Sequence, residues 1–332
     1  MQSFIRTKRK EIENILELYK NDEKRRNDFN ELEKISLSYL FEEPISAIES
    51  YAKKWIEYKI SLKCQRGLSK LSKNRYKDVL PLDKHIPLEN TYINASVIGT
   101  VYPHQDYIVT QYPLSSTKID FWEMLWNLKD CSIIVNLVPA KETLFKDIYY
   151  PLQIFHVERY GSFFVEKIEE KQIEDIISIY TVKLYENTCE CIDFKIINIV
   201  HFLKWEDKNI PSSPFDLIKL IDVVNDLNPK RTNPIVVHCT AGIGRSGVFI
   251  IVHKILTRLR GIISQKYDKD WLDDCVKDEI LEIRKYRPGM IQTSSQFSFC
   301  YVPIIIQLTK YETLFEKMDM YIFFLFFSYC LM

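Results

Sequence analysis

One ten-residue segment of the sequence combines a nucleophile, a guanidinium group and three of the chain's eight glycines. Residues 238–247 read HCTAGIGRSG, with Cys239 and Arg245 separated by five residues. A thiolate at the base of a loop whose amides point inward can attack a phosphorus atom, and an arginine fork can hold two phosphate oxygens. The same amides, a helix N-terminus and the guanidinium lower the pKa of such a thiol. The segment therefore predicts a site for phosphoryl chemistry.

The other residues of this segment have predicted supporting roles. We expect His238 to orient the loop and Ser246 to donate a hydrogen bond to the sulfur, which eases its later departure as a leaving group. Five loop residues are predicted to cradle the anion: Thr240, Ala241, Gly242, Ile243 and Gly244. The alternative is a buried structural cysteine beside a chance glycine turn. Cysteine and arginine at this spacing alone would favour that alternative, whereas the full pattern disfavours it.

The flanking segments predict the elements that position the loop. Residues 235–237 (IVV) are typical of a buried strand, and residues 248–259 (VFIIVHKILTRL) of an apolar helix. A strand, a glycine-rich loop and a helix in succession form an anion cradle, because loop amides and the helix N-terminus both face the ligand. Residues 132–138 indicate another buried strand, residues 152–203 alternate like antiparallel strands, and residues 215–227 have helical periodicity.

Two local predictions concern helix ends and interruptions. Thr117 and Asp120 match a capping box at the start of a helix whose core face includes Ile119. A last helix is predicted from Ser294, and Pro303 is expected to kink or end it.

Composition excludes several classes of protein. The 332 residues are 46% hydrophobic and 27% charged, which excludes a chain disordered throughout. Because 45 basic residues balance 45 acidic ones, nothing favours nucleic acid or a membrane surface as a partner. The eight cysteines form no CxxC pair, and Cys189 and Cys191 have no histidine nearby, so we expect no metal and no cofactor. The opening MQSFIRTKRK lacks an apolar leader, which predicts a reduced, cytoplasmic protein.

Three regions are predicted along the chain: a helical N-terminal extension at 1–30, a catalytic domain at 31–312 and an apolar tail at 313–332. Met320 to Met332 carries no charge but is shorter than the ~20 residues of a membrane-spanning helix. Cys330 is third from the end, which is the wrong position for prenylation. We expect the tail to pack on the domain, and membrane attachment is the less favoured alternative.

Several motifs together resemble the protein tyrosine phosphatase family, in its tyrosine-specific, non-receptor branch. HCTAGIGRSG matches the phosphate loop of that family, and the further matches follow in family order over roughly residues 60–305. They are KNRY at 73–76, YINAS at 92–96, TQYPLSSTKIDFWEMLW at 110–126, HFLKWED at 201–207 and RPGMIQTSSQFSFCY at 287–301. The resemblance implies an α/β fold, in which a highly twisted mixed β-sheet is flanked by α-helices.

The resemblance also implies an enzyme, a protein-tyrosine-phosphatase that acts in signalling as a phosphoric monoester hydrolase. Cys239 would be the nucleophile that forms a phosphocysteine intermediate, and Arg245 would bind phosphate and stabilise the transition state. Gln292, assisted by Gln296, would position the hydrolytic water. Glu142 would pair with Arg245.

Substrate recognition is implied for a second group of residues. Tyr76 would pack on the phenyl ring of phosphotyrosine, and Asp78 would hold the backbone of the substrate peptide. Tyr149 would hydrogen-bond to His238. Without the KNRY context, Tyr76 would be interpreted as a core residue, because the chain has 20 tyrosines.

The motif at 201–207 departs from the family at one residue. Trp205 corresponds to the hinge and Asp207 to the general acid, but Glu206 stands where the family has proline. Loss of the proline's fixed φ predicts slower or less complete closure of this loop. Outside the motif, Asp207 would be interpreted as an ordinary solvated carboxylate.

Three functions are therefore compared. The first is hydrolysis of phosphotyrosine in proteins, and the second is a pseudophosphatase that binds phosphotyrosine but turns over poorly because of Glu206. The third, a lipid or dual-specificity phosphatase, is disfavoured because residues 240–244 lack the lysines typical of lipid enzymes and KNRY indicates a deep pocket.

Overall fold

The computed structural model describes residues 63–99, 106–142, 144–186, 193–207, 209–230, 233–261 and 269–307. The predicted N-terminal extension at 1–30, the apolar tail at 313–332 and the pair Cys189 and Cys191 lie outside these residues. The catalytic domain predicted at 31–312 is described from residue 63 onward.

Eight strands form one mixed sheet. Their bounds are β1 Ala95–Ile98, β2 Tyr107–Gln111, β3 Ile133–Asn136, β4 Val157–Tyr160, β5 Phe163–Ile173, β6 Ile177–Glu186, β7 Phe194–Phe202 and β8 Ile235–Cys239. The spatial order is β1-β2-β8-β3-β7-β6-β5-β4. The four central strands β2, β8, β3 and β7 run parallel, whereas β1 at one edge and the β6-β5-β4 meander at the other are antiparallel. The predicted α/β class and the antiparallel run within 152–203 are therefore confirmed.

Helices flank the sheet. They are α1 Gln65–Ser69, α2 Lys118–Asn127, α3 Pro214–Leu227, α4 Gly244–Gly261, α5 Lys269–Tyr286 and α6 at residues 294–307. Short 3₁₀ turns lie between them, including Ala140–Glu142 after β3. Every residue of β2, β3 and β8 is buried, as expected for parallel strands that are covered on both faces. The carboxyl ends of β8, β3 and β7 converge on the loop that precedes α4.

Two predictions about α2, its capping box and the burial of Ile119, are wrong. Thr117 does precede α2, but its hydroxyl bonds to Leu114 instead of capping the helix, and Asp120 forms an ion pair with Lys73. Ile119 is about half exposed and does not line the core. Each polar group of the supposed capping box has another partner close by.

Pro303 does not end the last helix. The helical backbone runs from 294 to 307, with Pro303 well inside it. The predicted break is therefore absent.

Candidate active site

The loop between β8 and α4 passes so close to β2 that one of its positions requires glycine. Gly242 has φ +71, and a Cβ atom there would lie 2.2 Å from the carbonyl oxygen of Thr110. The Gly242 amide donates to the sulfur of Cys239, with N and Sγ 3.2 Å apart. The loop therefore curls around the thiol, which lies buried at the end of β8.

The environment of Cys239 favours the thiolate. Burial by itself raises the pKa of the thiol, but the Arg245 guanidinium, the hydroxyl and amide of Ser246 and the amide of Gly242 outweigh it and lower the pKa. Within the described residues, the buried Ser246 hydroxyl makes no hydrogen bond of ordinary geometry. Donation from this hydroxyl to the sulfur stays a prediction.

Arg245 is almost completely buried and organises the groups around the loop. Its Nη1 donates to Glu142 Oε2 at 2.9 Å and to the carbonyl of Trp205 at 2.7 Å. Its Nη2 donates to Asp207 Oδ1 at 3.0 Å and to Thr240 Oγ1 at 2.6 Å. The Nε–H group has no partner among the described residues, although it is buried. An anion in the loop would supply that partner.

The acid loop, residues 203–207, lies against this arginine. Trp205 is buried, and the side chain of Asp207 is 44% exposed. The amide of Asp207 donates to Glu142 Oε1 at 3.0 Å, while Glu206 forms an ion pair with Lys141. One carboxylate of the turn after β3 thus bonds to both the acid loop and Arg245.

Two glutamines, one just before α6 and one in its first turn, reach the first residue of α4. A Cβ atom on Gly244 would lie 2.5 Å from Gln292 Oε1 and 3.0 Å from the amide atoms of Gln296. The backbone amide of Gln292 donates to Gln296 Oε1 at 2.9 Å. Gln292 is exposed, whereas Gln296 is buried and its Nε2 has no partner within the described part of the chain. Both side chains thus lie beside the loop at Gly244.

Tyr76 forms part of the site's outer edge and is 39% exposed. Partial burial, the nearby Asp207 carboxylate and Cys239 raise the pKa of its phenol. The charges of the acid loop and of the thiol therefore both act on this phenol. Asp78 is exposed two residues further along the same segment.

A buried aromatic and histidine cluster supports the loop from behind. The Tyr149 hydroxyl lies 2.8 Å from Nε2 of His238, so the expected contact is present. Burial, assisted by the positive charge of neighbouring groups, lowers the pKa of His238 to about 3. His238 is therefore neutral at physiological pH and adds no charge beside Cys239.

Sequence reasoning did not single out Arg287, which also supports the loop. This buried side chain donates from Nε to the Gly242 carbonyl at 2.7 Å and from Nη2 to the Ala241 carbonyl at 3.1 Å. It also reaches the Asn94 side chain at 2.7 Å. Burial lowers its pKa to about 10, which leaves it a cation. Arg287 is the first residue of the motif at 287–301, and nothing in that motif indicates which groups its guanidinium binds.

The described residues provide neither a metal-binding cluster nor a membrane-spanning helix. These residues contain no cluster of three or more histidine, cysteine, aspartate or glutamate side chains able to hold a metal ion. Across the same ranges, no helix has the length and apolar character needed to cross a bilayer. The five described cysteines are free thiols.

Comparisons with known proteins agree with this geometry. The model of the family described as protein-tyrosine phosphatase matches residues 70–306. Human tyrosine-protein phosphatase non-receptor type 2 is 35% identical over 243 residues, 70% of this chain and 55% of its own. Tyrosine-protein phosphatase 3 of Dictyostelium discoideum is 34% identical over 253 residues, 71% of this chain and 25% of its own. The chain thus spans about half, or less, of the length of these relatives. It belongs to the protein-tyrosine phosphatase family.

Proposed function

We propose that this protein hydrolyses phosphotyrosine in proteins through a phosphocysteine intermediate, without a metal or a cofactor. The observation that carries the proposal is the buried Cys239 thiol with its lowered pKa, beside an Arg245 Nε–H group that has no partner among the described residues. Asp207 lies on the same guanidinium, 3.0 Å from Nη2. Nucleophile, anion-binding group and proton donor therefore meet within one hydrogen-bonded cluster.

In the first step, the Cys239 sulfur attacks phosphorus and the bond between phosphorus and the tyrosine oxygen breaks. The phosphate would replace Asp207 as the partner of the Arg245 guanidinium. Asp207, protonated and freed from the guanidinium, gives its proton to the departing phenolate. The products of this step are tyrosine and phosphocysteine.

In the second step, a water molecule attacks the phosphocysteine and the bond between phosphorus and sulfur breaks. Asp207 accepts a proton from the water, and inorganic phosphate leaves. Gln292 and Gln296 are proposed to position the water, because both reach the loop at Gly244. The Ser246 hydroxyl stabilises the sulfur as it regains its negative charge.

The substrates proposed are phosphotyrosine proteins of cytoplasmic signalling. The ring of Tyr76 would form one wall of the pocket, and exposed Asp78 would hold the substrate backbone. Free thiols at five described cysteines are consistent with a reducing compartment. The formal net charge of zero favours no nucleic-acid substrate.

The test compares turnover of phosphotyrosine, phosphoserine and phosphoinositide substrates by the purified protein. We expect selectivity for phosphotyrosine, resistance to EDTA, inhibition by vanadate, and no turnover but retained phosphopeptide binding in Cys239→Ser. Asp207→Ala should slow p-nitrophenyl phosphate modestly and a phosphotyrosine peptide about a hundredfold, since the peptide's leaving group needs the proton more.

Each alternative has its own result. Binding of phosphotyrosine without turnover by the unmodified protein would indicate the pseudophosphatase. Preference for phosphoinositides would indicate the lipid class. Full peptide turnover by Asp207→Ala would place the acid elsewhere, with Glu206 the next candidate.

A further inference from the structure

The glutamate that stands in place of proline in the acid loop has a specific partner. Glu206 forms an ion pair with Lys141, on the 3₁₀ turn that follows β3. Both side chains are largely exposed, at 58% and 65%. A substitution that the sequence predicts to loosen the loop therefore comes with a contact that restrains it.

This contact is in register with the active-site contacts beside it. Lys141 bonds to Glu206, and the next residues along each segment are joined as well, because Glu142 Oε1 accepts from the Asp207 amide at 3.0 Å. The other oxygen of Glu142 binds Arg245 at 2.9 Å. Two consecutive residues of the turn thus hold two consecutive residues of the acid loop, and the turn itself is fixed to the arginine.

The opposite flank of the loop is held independently. Lys204 pairs with Asp175 at the turn between β5 and β6, and the Leu203 amide donates to the Ile176 carbonyl at 2.8 Å. Those contacts restrain the start of the loop. At the other end of the loop, Asp207 is held by Arg245 and by the turn after β3.

We propose that the Lys141–Glu206 ion pair is an electrostatic latch that positions the acid loop over the phosphate-binding loop and so places Asp207 for proton transfer. The proposal rests on the proposed function. Proline restrains the backbone by fixing φ, whereas glutamate does not. In this chain a side-chain contact takes over that restraint, so Lys141 and Glu206 are positioning residues.

The first test is a charge swap. Lys141→Glu and Glu206→Lys should each lower kcat for a phosphotyrosine peptide roughly two- to fivefold, the range for an exposed ion pair, with little change in KM. The double variant restores opposite charges and should recover most of the loss. Lys285→Glu breaks the exposed pair with Glu282 on α5, makes the same charge change at a site that does not contact the acid loop in the described contacts, and should leave kcat unchanged.

The second test does not depend on turnover. Hydrogen exchange of the acid-loop amides should be faster in both single variants and return to the wild-type rate in the double variant. If the single variants leave exchange and kcat unchanged, or if the double variant fails to restore them, the latch is refuted. If the wild-type protein has no phosphatase activity, the proposed function fails, whereas the exchange experiment still decides whether the latch exists.

Discussion

At the scale of single residues, burial and charge act in opposite directions on Cys239. Burial favours the neutral thiol, yet the Arg245 cation and the donors of Ser246 and Gly242 lower its pKa. Burial acts without comparable opposition on Cys300, where it raises the pKa of the thiol above its ordinary range. Reactivity is therefore a property of the loop and not of cysteine in a buried position.

Ser246→Ala should raise the pKa of Cys239, because it removes a donor that stabilises the thiolate. We expect the pH midpoint of iodoacetamide alkylation to move upward by about one unit. Mass spectrometry would identify the alkylated residue, and Cys300 should remain unmodified as an internal control. An unchanged midpoint would remove Ser246 from its proposed role.

At the scale of elements, the conformation of the loop depends on its distance from β2. Gly242 has a positive φ, and a methyl group there would meet the backbone of Thr110, which cannot move aside without disturbing β2. Gly161 also has a positive φ of +67, but its nearest neighbour is the side chain of Ile119 at 3.1 Å. At both positions the positive φ would strain any other residue. Only at Gly242 would an added Cβ atom also meet backbone atoms.

Gly242→Ala should displace the loop and reduce turnover by at least about a hundredfold, since a misplacement near 1 Å at the reacting atoms can have that effect. Gly161→Ala should lower stability by only about 1 kcal/mol and preserve activity. Steady-state kinetics and thermal unfolding of both variants would separate the effects. Equal activity of the two variants would contradict the argument.

A structural feature could be predicted from the sequence when the residues that determine it are close together along the chain. The strand, loop and helix around Cys239 could be predicted because they are contiguous and each has its own periodicity or glycine spacing. Partner choice could not be predicted in the same way. Thr117 bonds to Leu114, which competes with the cap from only three residues away, whereas Asp120 bonds to Lys73, which comes close only in the folded chain.

The same limit applies to the site. The link from Lys141 to Glu206 and the two carbonyls held by Arg287 depend on proximity across the fold. The sequence around Lys141 and around Arg287 does not indicate the partner of either residue. The contact between Glu142 and Arg245 was anticipated only through resemblance to a family, not from the spacing of the two residues.

At the scale of the whole molecule, the buried neutral His238 links folding to pH. Its pKa is about 3 in the native state, below the ordinary value of 6.5 that applies after unfolding. Its contribution to stability is fully present above pH 6.5. As pH falls below 6.5, the unfolded chain takes up a proton that the native state refuses, so stability decreases towards pH 3.

We therefore expect the free energy of unfolding to fall by roughly 1.4 kcal/mol per pH unit from this group between pH 6 and pH 4. Burial also lowers the pKa of His201, which adds to the slope. Urea denaturation at several pH values would measure it. His238→Gln should give a shallower dependence, and parallel curves for the two proteins would show that His238 does not contribute.

The residues that contact the loop between β8 and α4 come from widely separated parts of the chain. Thr110 lies far before the loop, whereas Arg287 and Gln296 follow it. During synthesis on a ribosome, Cys239 therefore emerges well before Arg287 and Gln296, which contact its loop. A nascent chain that ends at α4 would contain Cys239 but neither Arg287 nor Gln296. The proposed activity should therefore arise late in synthesis, after the segment that carries both residues has left the exit tunnel.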